Sequence, residues 1–137
     1  MNPIAQAGIL FALPVAYTAG AADAIPTAAV KAFDTYTALP GKLVPILQNA
    51  KDQASADATA PALTKALSDI YEARELIHKL PRLTARQNQA VRLKYAQRMR
   101  EEWGRMYEEI TRVRNARCYQ SADFAKAFRL MCMMIEK

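Results

Sequence analysis

The stretch "RMREEWGRMYEEITRVRNARC", residues 98–118, repeats in sevens and decides the predicted fold. Large apolar residues recur at two of the seven positions, and such a repeat places one continuous apolar stripe along an α-helix. Ala96 shares a heptad position with two residues of the stripe. The repeat lasts under three heptads, which is short for a free-standing coiled coil. We therefore predict a helix seam within the chain, with dimerisation as the alternative, built from Met99, Trp103, Met106, Ile110 and Val113.

The partner predicted for this seam is the preceding helix, residues 58–80, in which apolar residues recur by threes and fours. Pro81 ends that helix, and Thr84 is placed to cap the next one, so the connection is short and the neighbours are antiparallel. The sequence predicts an all-α fold, a small helical bundle built on a long antiparallel hairpin of residues 58–80 and 85–118. Shorter helices flank it at 27–39, at 42–54 after the turn signal "PG", and after Ser121.

Positive charge is concentrated in the same part of the chain. The formal net charge is +6, and residues 79–117 hold eleven Lys and Arg against four Glu. Three of the arginines share one flank of the heptad, and two of them, Arg98 and Arg105, have Glu residues three and four positions later, where opposite charges meet on a helix. We therefore expect Glu residues of the same helix to neutralise much of the Arg charge. The candidate interaction surface consists of Arg98, Arg100, Arg105, Arg112 and Arg114.

The N-terminal segment has the pattern of a secretory signal peptide. It carries no charged side chain before Asp23, has an apolar middle at residues 9–17, and has small residues where an A-x-A cleavage site would lie. The pattern predicts a signal peptide over residues 1–24, cleaved after Ala21 or Ala24, and a single helical domain over 25–137. The protein is then periplasmic or secreted, and it contacts the membrane only if the segment stays uncleaved.

No motif in the sequence indicates catalysis, a cofactor or a metal. There is no P-loop, dinucleotide fingerprint or His-rich or Cys-rich metal spacing, and His78, the one histidine, is interpreted as a surface or capping residue. The methionines of "LMCMMIEK" diverge around a helix and are interpreted as core residues. Cys118 and Cys132 are expected to pair in an exported protein, whereas the helical rise between them opposes a disulfide, so both states stay open.

The segment "LTARQ", Leu83–Gln87, matches the LTxxQ motif of the Spy-like and CpxP-like periplasmic helical proteins. The Arg-rich helix that follows is similar as well. This resemblance implies an exported all-α protein, often dimeric, that shields unfolded envelope proteins without ATP. Thr84 with Gln87 is also the pattern of an ordinary capping box, which explains the same residues locally.

The sequence therefore favours an exported, non-enzymatic helical protein that works through contacts with a protein partner, and a homodimer is not excluded. An ATP-independent holdase is the first alternative. The second is a binder of nucleic acid or another polyanion through the Arg-rich helix. Export argues against nucleic acid, which an exported protein does not normally meet. The interleaved Glu residues also argue against it, because they weaken the positive electrostatic potential that attracts a phosphate backbone.

Overall fold

The structure is a computed structural model that describes residues 24–136. Over this range the chain forms helices and turns and contains no β-strand, which confirms the all-α prediction. The predicted signal peptide lies outside the described residues, apart from Ala24. The helices are numbered here in chain order as α1 (Thr27–Thr37), α2 (Leu39–Asn49), α3 (Gln53–His78), α4 (Ala85–Arg98), α5 (Gly104–Asn115) and α6 (Ala122–Ile135).

Helix α3 begins at residue 53, five residues before the predicted start, because a capping box precedes it. The Ser55 amide donates to Asp52 Oδ1 at 2.7 Å, and the Asp52 amide donates to Ser55 Oγ at 2.9 Å. These bonds satisfy two amides that the first turn would leave unpaired. Hydrogen bonds from the Ser55 amide and, next, from the Ser55 side chain lower the pKa of the Asp52 carboxyl. The cap therefore fixes the start of the longest helix at residue 53.

Helices α1 and α2 meet at Ala38, so the prediction that "PG" at residues 40 and 41 ends the first helix is wrong. Pro40 lies in the first turn of α2, where a missing N–H leaves no hydrogen bond unmade. Leu39 and Pro40 are buried, so the first turn of α2 is packed into the protein. Helix α1 consequently ends two residues earlier than predicted, and α2 lies three to five residues nearer the N-terminus than predicted.

Helix α3 is the centre of the bundle, and α1, α2 and α6 pack directly against it. Helix α5 packs instead against α2, and no Cα atom of α3 lies within 8 Å of one in α4 or α5. The predicted antiparallel hairpin of 58–80 with 85–118 is therefore not confirmed. The physical reason is that α2 covers the part of α3 that the hairpin would have used.

The predicted helix 85–118 consists of α4 and α5 joined by a π-helical turn, Met99–Trp103. A π-helical turn holds one more residue than an α-helical turn and rotates the faces of the helix on either side of it. Ala96, predicted to lie on the seam, is exposed as a result. Trp103, Met106, Ile110 and Val113 are buried and Met99 is partly buried, so the seam occupies only the C-terminal half of the predicted helix.

The link between α5 and α6 is a left-handed turn at residues 117–120. Arg117, Cys118, Tyr119 and Gln120 have φ of 51°, 53°, 55° and 60°, although none is glycine. Each such residue costs about 1–2 kcal/mol relative to right-handed backbone. Two backbone hydrogen bonds close the turn, from the Tyr119 amide to the Ala116 carbonyl and from the Ser121 amide to the Cys118 carbonyl. The conformation is thus imposed by the packing around it.

Helix α6 starts where the sequence predicts, because Ser121 caps it. Ser121 Oγ accepts a hydrogen bond from the Phe124 amide at 3.3 Å and donates one to Asp57 on α3. Asp123 lies in the first turn, where negative charge is favoured. Phe124, Phe128, Met131 and Ile135 are buried against α3, as the predicted apolar stripe requires. The methionine-rich end of the chain is therefore in part core.

Candidate interaction surface

Helix α4 is the most exposed helix in the described part of the chain. It carries four cations, Arg86, Arg92, Lys94 and Arg98, and no Asp or Glu. Among residues 24–136 it packs, beyond its own continuation, against α1 alone, and its buried residues are Gln89, Val91 and Tyr95. A helix docked along one narrow stripe leaves most of its circumference available to a partner.

Tyr95 fixes α4 in place. Its hydroxyl donates to Asp34 Oδ1 at 2.7 Å, and its ring lies 5.6 Å from that of Phe33, centroid to centroid. Burial, and next the hydrogen bond to the Asp34 carboxylate, raise the pKa of Tyr95 to about 12. The phenol therefore stays neutral and donating at any physiological pH. The docking of α4 is specific although it involves few residues.

The N-terminus of α4 is held by a capping box. Gln87 N–H donates to Thr84 Oγ1 at 3.1 Å, and the Thr84 amide donates to Gln87 Oε1 at 2.9 Å. These two bonds confirm the local interpretation of "LTARQ". They account for Thr84 and Gln87 without reference to any family, so the resemblance to the Spy-like proteins stays a prediction.

The Glu lattice predicted for the Arg-rich helix forms only in part. Arg98 pairs with Glu102 at 3.3 Å, as the i+4 spacing predicts, and Arg114 pairs with Glu136 of α6 at 2.9 Å. Glu109 was placed to pair with Arg105 and pairs with Arg112 instead. Arg105 and Arg100 are exposed and make no ion pair with any residue of 24–136.

Arg112 was predicted to belong to the interaction surface, and this prediction is wrong. Its guanidinium is held by hydrogen bonds within the protein. Its guanidinium donates to the carbonyls of Leu47 at 2.7 Å and Ala50 at 2.9 Å, which belong to the end of α2. It also donates to the hydroxyl of Tyr119 and pairs with Glu109 at 2.8 Å. One side chain thus joins α5, the end of α2 and the left-handed turn.

Two exposed apolar side chains lie among the free cations. Leu93, which is 56% exposed, follows Arg92 on α4, and Tyr107, which is 44% exposed, follows α5's first turn. We call the outer surface of the two helices the basic face, and its members are Arg92, Leu93, Lys94, Arg100, Arg105 and Tyr107. Of these six, the predicted interaction surface included only Arg100 and Arg105, although residues 85–98 contain no acidic residue.

The other residues considered for chemistry lie apart from one another. His78 is exposed at the end of α3, and no group of three potential metal ligands converges among residues 24–136. Cys118 and Cys132 are buried free thiols, so the disulfide is not formed in this structure. Burial raises the pKa of both thiols, which keeps them protonated and weakly nucleophilic.

The fold and this surface define a class, a small all-α bundle with one basic, partly apolar helix pair on its outside. None of its helices within residues 24–136 combines the length and hydrophobicity that crossing a bilayer requires. Comparisons with protein-family models, with curated proteins and with solved structures find no match to the chain.

Proposed function

We propose that this is an exported, non-enzymatic helical protein that works by binding another protein through the basic face. The observation that carries the proposal is that α4 has no carboxylate, presents the exposed cations Arg92 and Lys94, and within residues 24–136 packs on one other helix. A helix that stabilises a bundle normally buries a broad apolar stripe, and α4 buries three residues. Its composition is instead suited to contact with an acidic surface.

A protein partner fits the face better than a uniform polyanion does. Arg and Tyr are enriched at protein interfaces, and apolar side chains at their centre supply most of the binding free energy. Leu93 and Tyr107 provide that apolar contribution, and the free arginines around them steer an acidic partner. The expected partner therefore has an acidic surface that surrounds an apolar patch.

The second candidate is a polyanion, and the absence of acidic residues from α4 favours it. Base stacking has little support, because Tyr95 is buried against α1 and Trp103 is buried against Tyr36, which leaves Tyr107 as the single exposed aromatic residue of the basic face. Arg98, Arg112 and Arg114 are in ion pairs, which reduces the charge available to phosphates. Binding to DNA or RNA is then weak and falls steeply with salt.

The proposal is tested by affinity purification from the envelope fraction of the native host with two charge-matched variants. The first replaces Arg92, Arg100 and Arg105 with Gln on the basic face. The control replaces three exposed cations of α3 and α6 with Gln: Lys65, Lys126 and Arg129. Both remove the same charge, so they differ only in where the charge lay. We expect the wild type and the control to retain one discrete protein that the first variant loses.

Equal retention by both variants would contradict the basic face as the binding site. Retention that depends on nuclease-sensitive material would instead favour the polyanion, as would sub-micromolar affinity for DNA or RNA at physiological salt. Circular dichroism of each variant establishes that the helices remain folded.

A further inference from the structure

A cavity of about 270 Å³ lies where α1, α3 and α6 meet. Its walls come from the second half of α1 and from the C-terminal ends of α3 and α6. The lining residues are Phe33, Tyr36, Arg74, Ile77, His78, Met134 and Ile135. Apolar side chains form most of the wall. Its polar groups belong to Tyr36 on α1 and to Arg74 and His78 on α3.

The polar side of the cavity is cationic. Arg74 and His78 lie four residues apart, on the same side of α3. Arg74 is half-buried, and it forms no hydrogen bond or ion pair with any residue from 24 to 136. The adjacent Glu75 pairs with Lys79 at 3.9 Å, and Asp34 on α1 accepts a hydrogen bond from Tyr95. The guanidinium is therefore a donor to which the described part of the chain offers no acceptor.

The aromatic wall is held rigidly before any ligand arrives. Tyr36 stacks on Trp103 with centroids 4.8 Å apart and an interplanar angle of 20°, and Phe33 packs on Tyr95. Burial raises the pKa of Tyr36, and the charge of Arg74 opposes that rise, so the phenol is a neutral hydrogen-bond donor. A preorganised apolar wall lowers the entropy lost on binding.

The ends of α3 and α6 limit the charge of a ligand. Each helix C-terminus carries about half a negative charge, and the cavity lies beside both ends, at His78 and Ile135. Arg74 lines the wall itself with one full positive charge, so direct contact with its guanidinium favours one carboxylate, and the two helix ends oppose any further negative charge. The volume lies just below the about 300 Å³ at which sites for drug-sized ligands begin, so the ligand is small.

We infer that this cavity binds a small apolar monocarboxylate, with the carboxylate on Arg74 and the apolar body between the aromatic wall and Met134. The site is independent of the proposed protein-binding role, because none of its lining residues belongs to the basic face. An experiment can therefore contradict one of the two proposals without contradicting the other.

The test uses the full chain and phenylacetate as the probe, with the neutral phenylacetamide as its isosteric control. Trp103 is the sole tryptophan, so its indole N–H gives one identifiable cross-peak in a ¹H–¹⁵N spectrum, and the indole stacks on the cavity wall. We expect phenylacetate to shift that peak saturably, and phenylacetamide to bind about tenfold more weakly or worse, since it lacks the charge-assisted hydrogen bond.

Arg74→Gln should weaken phenylacetate binding to the level of the amide and leave amide binding unchanged. Arg92→Gln, an exposed cation of α4, should change neither. Equal affinities of the wild type for acid and amide would overturn the inference, and so would full phenylacetate affinity in Arg74→Gln or the absence of a saturable shift. The comparison of acid with amide needs only the wild-type protein, so the inference remains testable if Arg74→Gln does not fold.

Discussion

Replacing Arg112 with Ala should lower the free energy of unfolding by about 2–4 kcal/mol, because the side chain makes several charge-assisted hydrogen bonds. It leaves the carbonyls of Leu47 and Ala50 without their donor at the end of α2. It also removes the donor to Tyr119, which lies in the strained left-handed turn. Because the side chain is 36% exposed, water replaces part of the loss and keeps the effect below the full sum of the bonds.

The measurement is urea denaturation followed by circular dichroism, with Arg105→Ala as the matched control. Arg105 lies on the same helix and makes no ion pair with residues 24–136, so its removal should change stability by no more than about 1 kcal/mol. Similar stabilities of the two variants would show that Arg112 does not join α5 to α2 and to the turn.

Truncation of the seam should have an effect of similar size. Ile110→Ala or Met106→Ala should cost about 2–5 kcal/mol, because both side chains are almost fully buried in the core and their removal leaves a cavity. Leu93→Ala on the exposed side of α4 is the control, with an expected change within about 0.5 kcal/mol. Thermal melts of the three variants measure the difference.

The same experiment separates a seam within the chain from a dimer interface. If Met106 and Ile110 pack within one chain, the melting temperature of the unmutated protein should not change over a hundredfold range of concentration. A melting temperature that falls on dilution would show that the seam joins two chains. Sedimentation at the same concentrations provides an independent measure of the mass.

The sequence predicted those features of the fold that depend on neighbouring residues. Helices are indicated by the spacing of buried side chains, and the caps at Thr84 and Ser121 are hydrogen bonds over three residues. The residues of the seam were predicted for the same reason, since Trp103 to Val113 lie on one face of α5 and its preceding turn. Sequence patterns are therefore sufficient to predict features that form between residues close together in the chain.

Three features depend on distant contacts and could not be predicted in this way. The segment "RCYQ" contains no glycine, so nothing local favours left-handed backbone at 117–120. The π-helical turn at Met99–Trp103 coincides with the stacking of Trp103 on Tyr36, which is 67 residues away in the chain by their numbering. Arg112 looked like a member of a surface repeat, and only the position of α2 shows that its guanidinium is engaged.

The candidate surface was predicted in part. Arg98, Arg100 and Arg105 lie outside the core as expected, whereas Arg112 does not serve the surface. Arg92 was included only among the arginines of the polyanion alternative, and Leu93 was not predicted, because the heptad repeat begins after both. The absence of acidic residues from 85–98 indicates the cations of that segment but not Leu93.

The central claim is that the basic face of α4 and α5 contacts a protein partner, and site-specific photo-crosslinking tests it most directly. p-Benzoylphenylalanine is placed at Leu93 on the basic face or at Tyr71 on α3, which are 56% and 59% exposed. After irradiation in the native host, we predict one discrete protein adduct from position 93 and none from position 71. Adducts of equal yield from both positions, or none from position 93, would contradict the account.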